Sequence, residues 1–354
     1  MATPAKLLAG RRPFQTALHR WYRVHARALP WRDSPSLYKT VVSEFMLQQT
    51  QVVTVLPYFA RWLSELPDFA ALAAASEAKV MKLWEGLGYY SRARNLHRLA
   101  QTIAALPVPP RSPAKWQELP GIGPYTAAAI TSISFGEPAA CVDGNVVRIL
   151  ARLTGEGRQF RDSSEAAKYF TPLANALIIG SDAGMHNQAM MELGATVCLR
   201  QNPQCEICPV ATLCAARREG EPEKLPRLKP KLIEQRVAAR AFCLHRGALL
   251  LHRVHQKARW LAGMYELPEA AVLGVTPLAP ALLAKKRRAI TRFQITESIY
   301  LVKVTPALRR RIESEGTLEW VPTNALESVT LSGPHKRWIR EILARPERKG
   351  LETP

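Results

Sequence analysis

From Phe14 onward the chain repeats apolar positions at helical spacing. Phe14, Leu18, Trp21 and Tyr22 share one face, and blocks of the same kind follow to about residue 214. Leu83-Trp-Glu-Gly-Leu-Gly88 ends one block on glycines, as helix C-termini do, and Leu106-Pro-Val-Pro-Pro-Arg-Ser-Pro113 reads as a rigid connector. Between residues 215 and 236 the pattern changes: Pro222, Pro226 and Pro230 alternate with charged residues, the composition of an extended linker. Beyond it lie short strand-like runs at 240–245, 248–252 and 298–304, then a helical pattern through 336–343. The expectation is a multidomain chain: a flexible stretch 1–13, an all-α domain 14–214, a linker 215–236, a small α+β domain 237–345 and a flexible tail 346–354. No internal repeat or low-complexity tract interrupts this order.

The 354 residues suffice for two substantial cores. With 47% hydrophobic residues and no apolar run near the ~18 residues that span a bilayer, no membrane partner is expected. Charge changes the picture more. Lys and Arg outnumber Asp and Glu by 49 to 29, a net charge of +20, which points to a polyanionic partner. Residues 1–32 hold no acid and several arginines, but helical patterning from Phe14 argues against an organellar leader longer than the first dozen residues. With no secretory signal, free thiols and a cytoplasmic, nucleoid-associated location in a prokaryote-like cell are expected.

Four of the six cysteines form a C-x6-C-x2-C-x5-C run at Cys198, Cys205, Cys208 and Cys214. Four thiolates so close in sequence suit a [4Fe–4S] cluster. Zinc and disulfides are the competing uses; zinc sites more often pair two short knuckles across a long loop. Leu119-Pro-Gly-Ile-Gly-Pro-Tyr-Thr-Ala127 lies between helical blocks, and Gly121 and Gly123 would let consecutive N–H groups and a helix N-terminus face a phosphate. A plain helix corner would use the same residues. Asp143, in Cys141-Val-Asp-Gly-Asn-Val-Val-Arg148, stands where a helix N-cap belongs, and a carboxylate there can also face a developing cation. Glu44 sits in Ser43-Glu-Phe-Met-Leu-Gln-Gln-Thr-Gln51 among apolar and amide neighbours; if partly buried, it would hold a proton near neutrality.

Together the LPGIGPYTA turn, the VDGN aspartate and the four-cysteine run resemble the helix-hairpin-helix DNA glycosylase superfamily. Leu29-Pro-Trp-Arg32, EFMLQQTQV at 44–52, Gly86-Leu-Gly-Tyr-Tyr-Ser-Arg-Ala-Arg-Asn95 and His186-Asn-Gln-Ala-Met-Met-Glu-Leu-Gly194 narrow the resemblance to adenine DNA glycosylases of the MutY type, over nearly all of 14–214. The resemblance implies a [4Fe–4S] loop at 198–214 and a monomer acting on double-stranded DNA with adenine opposite 8-oxoguanine or guanine. It implies that Glu44 protonates the base, that Asp143 stabilises or attacks the sugar cation, and that Asn145 and Tyr125 position that centre. Trp31, Arg32 and Glu192 would line the adenine pocket, Gln48 would contact DNA, and Gln49 and Tyr90 would wedge into the duplex. Bifunctional relatives carry a Schiff-base lysine two residues after the second turn glycine; Tyr125 stands there, so hydrolysis without a lyase step is expected.

The C-terminal domain resembles the MutT-like (Nudix-fold) domain of the same family. It lacks the acidic metal motif of nucleotide hydrolases, so lesion recognition is the implied task. In place of the family's Phe-Ser-His loop stands Ile290-Thr291-Arg292, with Thr291 offering a hydroxyl and Arg292 a donor to base or phosphate.

Overall fold

The computed structural model describes residues 4–258, 260–345 and 352–353. The chain folds into two compact bodies, one from residues 1–74 and 95–230, the other from 75–94 and 231–354. Segment 75–94, which the helical periodicity assigns to the first domain, thus belongs to the second body.

The first body is built from helices around a large apolar cluster that includes Phe14, Leu150 and Leu193. Helix Arg11–His25 buries Phe14, Leu18, Trp21 and Tyr22, the face expected from their spacing. It packs on helix Ala183–Thr196, which also touches Pro124–Phe135 and Gly144–Thr154. Local chemistry sets the boundaries: Ser36 caps Leu37–Leu47 by accepting from the Lys39 amide, Pro124 opens its helix at N1, and Gly136 and Gly155 end theirs in left-handed conformations.

Segment 215–236 is not one extended linker. Helix Ala215–Arg218 and strand Arg227–Leu228 interrupt it, and the strand pairs in parallel with Gln159–Phe160. Leu225, only 7% exposed, anchors it to the first body's core.

The second body is α+β, as a MutT-like domain requires. Strand Glu234–Phe242 runs parallel to Phe293–Leu301, which forms an antiparallel hairpin with Leu282–Ile290. In a second sheet, Ala248–Arg253 pairs with Leu318–Pro322 and, at its ends, with Leu244–His245 and Tyr265–Glu266. Helix Gly333–Leu343 covers this core with Trp338, Ile339 and Ile342.

A charged cluster is buried beside that core. Arg240 donates to Glu297 at 2.7 Å, and Arg288 pairs with both Glu266 and Glu297. His335 Nδ1 accepts the Leu267 N–H at 2.8 Å, so its proton sits on Nε2, 3.1 Å from Glu297. Burial lowers the His335 pKa, in keeping with a neutral ring.

Candidate active site

Helices Leu37–Leu47, Pro124–Phe135 and Gly144–Thr154, all in the first body, bring Glu44, Tyr125, Asp143 and Asn145 to one cavity of about 560 Å3. Trp31, Arg32, Met191 and Glu192 line the same cavity. A second opening beside Glu44 and Asp143 is lined by Gln48, Gln49, Gly121 and Gly123. The hairpin turn and the paired glutamines therefore flank the carboxylates, although they are distant in sequence.

Glu44 is 7% exposed, and burial pushes its pKa up to about 7, opposed by a hydrogen bond from Tyr125. Burial thus acts on this carboxyl in the direction that its apolar neighbours suggested. The Tyr125 hydroxyl also lies 3.0 Å from Met191 Sδ, and burial raises its pKa well above that of a free phenol.

Asp143 performs the capping task and more. Oδ1 accepts the Asn145 and Val146 backbone amides, each at 2.9 Å, and Oδ2 accepts Asn145 Nδ2 at 2.9 Å. Burial raises its pKa, while these N–H donors and Arg148 oppose the shift. Every donor fixes the carboxylate's position and favours its anion. Asn145 is in turn oriented by Arg148, whose Nη2 donates to Asn145 Oδ1 at 2.9 Å and to the Gly194 carbonyl at 2.8 Å.

Glycine sets the approach of these helices. A Cβ on Gly194 would lie 2.5 Å from Asn145 Cβ, so helix Ala183–Thr196 can approach this closely only without a side chain there. Gly121, at φ +76°, would place a Cβ 2.5 Å from Asn95 Cβ, which makes the hairpin turn glycine-specific twice over.

Glu192 is fully buried and held by arginines. Oε1 accepts the Arg27 amide at 3.0 Å and Nε at 2.6 Å; Oε2 accepts Arg27 Nη2 and Arg32 Nη2, each at 3.0 Å. Burial alone would raise its pKa, but the Arg27 bonds and the Arg32 charge outweigh it, and the net shift is downward. Trp31, 9% exposed, packs edge-on against Phe59 at 5.2 Å. Arg27 went unrecognised in the sequence because it lies among many arginines; its one local signal is its place just before Leu29-Pro-Trp-Arg32. Asn187, also missed, accepts the Cys141 amide at 2.9 Å and donates to Ser132 Oγ and the Ala139 carbonyl, holding the approach to Asp143.

The expected wedge requires a correction. Tyr90 is 5% exposed, and its hydroxyl accepts the Gly86 amide at 3.1 Å, so it is a packing residue of the second body. The projecting ring is Tyr89, 47% exposed at φ +48°. Gln49, at φ +56°, is in a strained, left-handed conformation and lines the second opening. In the second body, Tyr89, Trp260, Leu261, Arg288 and Thr291 line a cavity of about 290 Å3. Thr291 forms the tight turn between the hairpin strands at φ +54°. Arg292 does not line that cavity; its exposed side chain pairs with Glu234 at 2.8 Å.

Cys198, Cys205, Cys208 and Cys214 are free, half-buried thiols lining one small pocket with no histidine or carboxylate in its wall. Soft sulfur donors alone suit an iron–sulfur cluster.

The helical fold and the four-sulfur pocket define a DNA-repair glycosylase architecture. Residues 42–173 match the HhH-GPD superfamily of base excision DNA repair proteins, and 198–214 match the iron-sulfur binding domain of endonuclease III; the cofactor is a [4Fe–4S] cluster. The structure of a thermostable thymine-DNA glycosylase superposes with a TM-score of 0.52 at 24% identity, covering 60% of this chain and 98% of that one, which places the fold. The adenine DNA glycosylase of Buchnera aphidicola (from Acyrthosiphon pisum) is 34% identical over 252 residues, covering 70% of this chain and 71% of that protein. The human adenine DNA glycosylase is 44% identical over 223 residues. The chain belongs to the adenine DNA glycosylase family. It spans 41% of the human relative's length and 44% of the rat relative's.

Proposed function

We propose that this protein is a monofunctional DNA glycosylase that hydrolyses the N-glycosidic bond of adenine opposite 8-oxoguanine or guanine in duplex DNA, acting as a monomer. The observation that carries the reading is the pairing of a buried, proton-holding Glu44 with a hydrogen-bonded Asp143 in one cavity. Pairs of carboxylates in unlike environments divide acid and charge-stabilising roles.

The target base leaves the stack and enters the cavity beside Trp31 and Arg32. Glu44 gives its proton to N7 of adenine, and the C1′–N9 bond breaks with its electron pair passing to the base. Asp143 faces the oxocarbenium-like sugar, as anion or transient nucleophile, and Asn145 holds its free oxygen. Water adds to C1′ and loses a proton, leaving free adenine and an abasic site. Tyr125, in the position of the lyase lysine, has no amine to form a Schiff base, so the strand stays intact until alkali cleaves it. Hydrolysis moves no electrons; the cluster held by the four cysteines supplies rigid cross-links to the 198–214 loop. In the second body, the aromatic cavity with the Thr291 hydroxyl suits a splayed purine, and Tyr89 supplies a surface on which a base can stack.

Duplexes carrying A opposite 8-oxoguanine, A opposite G and A opposite T test this directly. Free adenine should appear from the first two, strand breaks only after alkali, and Asp143→Asn should release it at least ~10²-fold more slowly. Borohydride-trapped covalent complex on a pyrimidine lesion, or tight binding without base release, would overturn the reading.

A further inference from the structure

Arg152 is a buried cation with no acidic partner among the described residues. It lies on helix Gly144–Thr154 and is 2% exposed. Its guanidinium donates from Nε to the Leu225 carbonyl at 3.2 Å, from Nη1 to the Leu199 carbonyl at 2.6 Å and Cys198 Sγ at 3.3 Å, and from Nη2 to the Arg200 carbonyl at 3.0 Å. Carbonyls satisfy its N–H groups but leave its charge, and among the described residues no Asp or Glu forms an ion pair with it. A guanidinium so deeply buried requires a nearby anion.

Among the described residues, the one acceptor of a different kind is the sulfur of a cluster ligand. An oxidised cubane has a doubly positive core; with four thiolates it is a dianion. We propose that Arg152 is the internal counter-cation of the iron–sulfur cluster: its charge and its N–H···S bond to Cys198 retain the cluster and raise its reduction potential. One electron, supplied by an electrode, turns the dianion into a trianion, and a fixed cation beside Cys198 stabilises the trianion more. Neighbouring arginines do not share the task equally. Arg217 lines the pocket but is exposed, so water screens it, and Arg148 donates to the Cys198 carbonyl at 2.8 Å rather than to its sulfur.

The competing interpretation is a neutral clamp, in which Arg152 merely ties the Leu199 and Arg200 carbonyls to the helix. Three variants of the full chain separate charge from hydrogen bonding: Arg152→Lys keeps the charge, Arg152→Gln keeps donors without it, and Arg152→Met keeps neither. Protein-film voltammetry and visible absorbance during chelator challenge read potential and cluster retention. Arg152→Gln and Arg152→Met should shift the couple about tenfold toward the oxidised cluster, ~59 mV for one electron. Both should also lose iron ~10-fold faster. Arg152→Lys should stay near the parent potential. A loaded Arg152→Gln protein with the parent potential would overturn the proposal. If the neutral variants purify without cluster while Arg152→Lys retains it, the charge requirement is met. If all three lose the cluster, the native protein labelled with 15N-arginine decides: pulsed EPR of the reduced cluster should show coupling to guanidinium nitrogen, and its absence would overturn the assignment.

Discussion

Glu44→Gln should make the protein more stable and inactive. In the folded chain the Glu44 pKa lies near 7, against 4.5 when unfolded, so between these values the native state binds the extra proton. Stability therefore falls as pH rises from the lower value to the upper, and the loss is complete above it. At 1.36 kcal/mol per unit, the full effect is about 3 kcal/mol above pH 8, and about 1 kcal/mol of it is already present at pH 5.5. Gln accepts the same Tyr125 hydrogen bond and never ionises. Urea unfolding followed by tryptophan fluorescence should show the variant gaining on the parent by about 2 kcal/mol between pH 5.5 and 8.5. Adenine release should vanish in the variant, and in the parent it should decline as pH rises through 7. A parent-minus-variant difference that stays flat over this range would refute the reasoning, because it would mean that Glu44 is solvated and cannot serve as the acid.

Asp143→Asn should keep the fold, since Asn caps as well as Asp, yet slow single-turnover base release by at least ~10²-fold. Glu192→Gln should destabilise by on the order of 2–3 kcal/mol in thermal unfolding, below the ~3–5 kcal/mol typical of breaking a buried pair, because Arg27 is more than a third exposed. Gly121→Ala must both enter a strained φ and displace Asn95; DNA affinity should fall, and the slope of log K against log salt should flatten by about 0.9 for each phosphate that the turn no longer neutralises. Thr291→Val should reduce the preference for 8-oxoguanine over guanine opposite adenine more than Arg292→Ala does, since only Thr291 lines the cavity; the reverse order in competition kinetics would count against that placement.

Where hydrophobic periodicity and chemistry coincide, the sequence was readable. The Phe14–Tyr22 face, the Asp143 cap, the Gly121–Gly123 turn and the four cysteines all follow from local rules. The burial of Glu44 was legible because its helix is rich in apolar residues; eight residues of that helix, Glu44 among them, are buried. Properties set by tertiary packing were hidden. Nothing local distinguishes Tyr89 from Tyr90; one projects and the other packs because the backbone turns left-handed at Tyr89. Strand Leu282–Ile290 escaped notice because Arg288, buried against Glu266 and Glu297, reads as polar and spoils the alternation. Pro-rich residues 215–236 suggested an extended linker, but Leu225 supplies a buried anchor that composition cannot reveal.

The bare Cα of Gly194 acts as a spacer gauge. The distance from helix Ala183–Thr196 to the one presenting Asp143 is set by backbone meeting the Asn145 side chain, with no adjustable group between them. Such a junction cannot be retuned by repacking. One added methyl would push helix Ala183–Thr196, which carries Glu192, away from the helix that Asp143 caps while leaving both side chains intact, and no change in the substrate could restore their separation. The spacing between Glu192 and Asp143 is thus fixed by an atom the protein does not have.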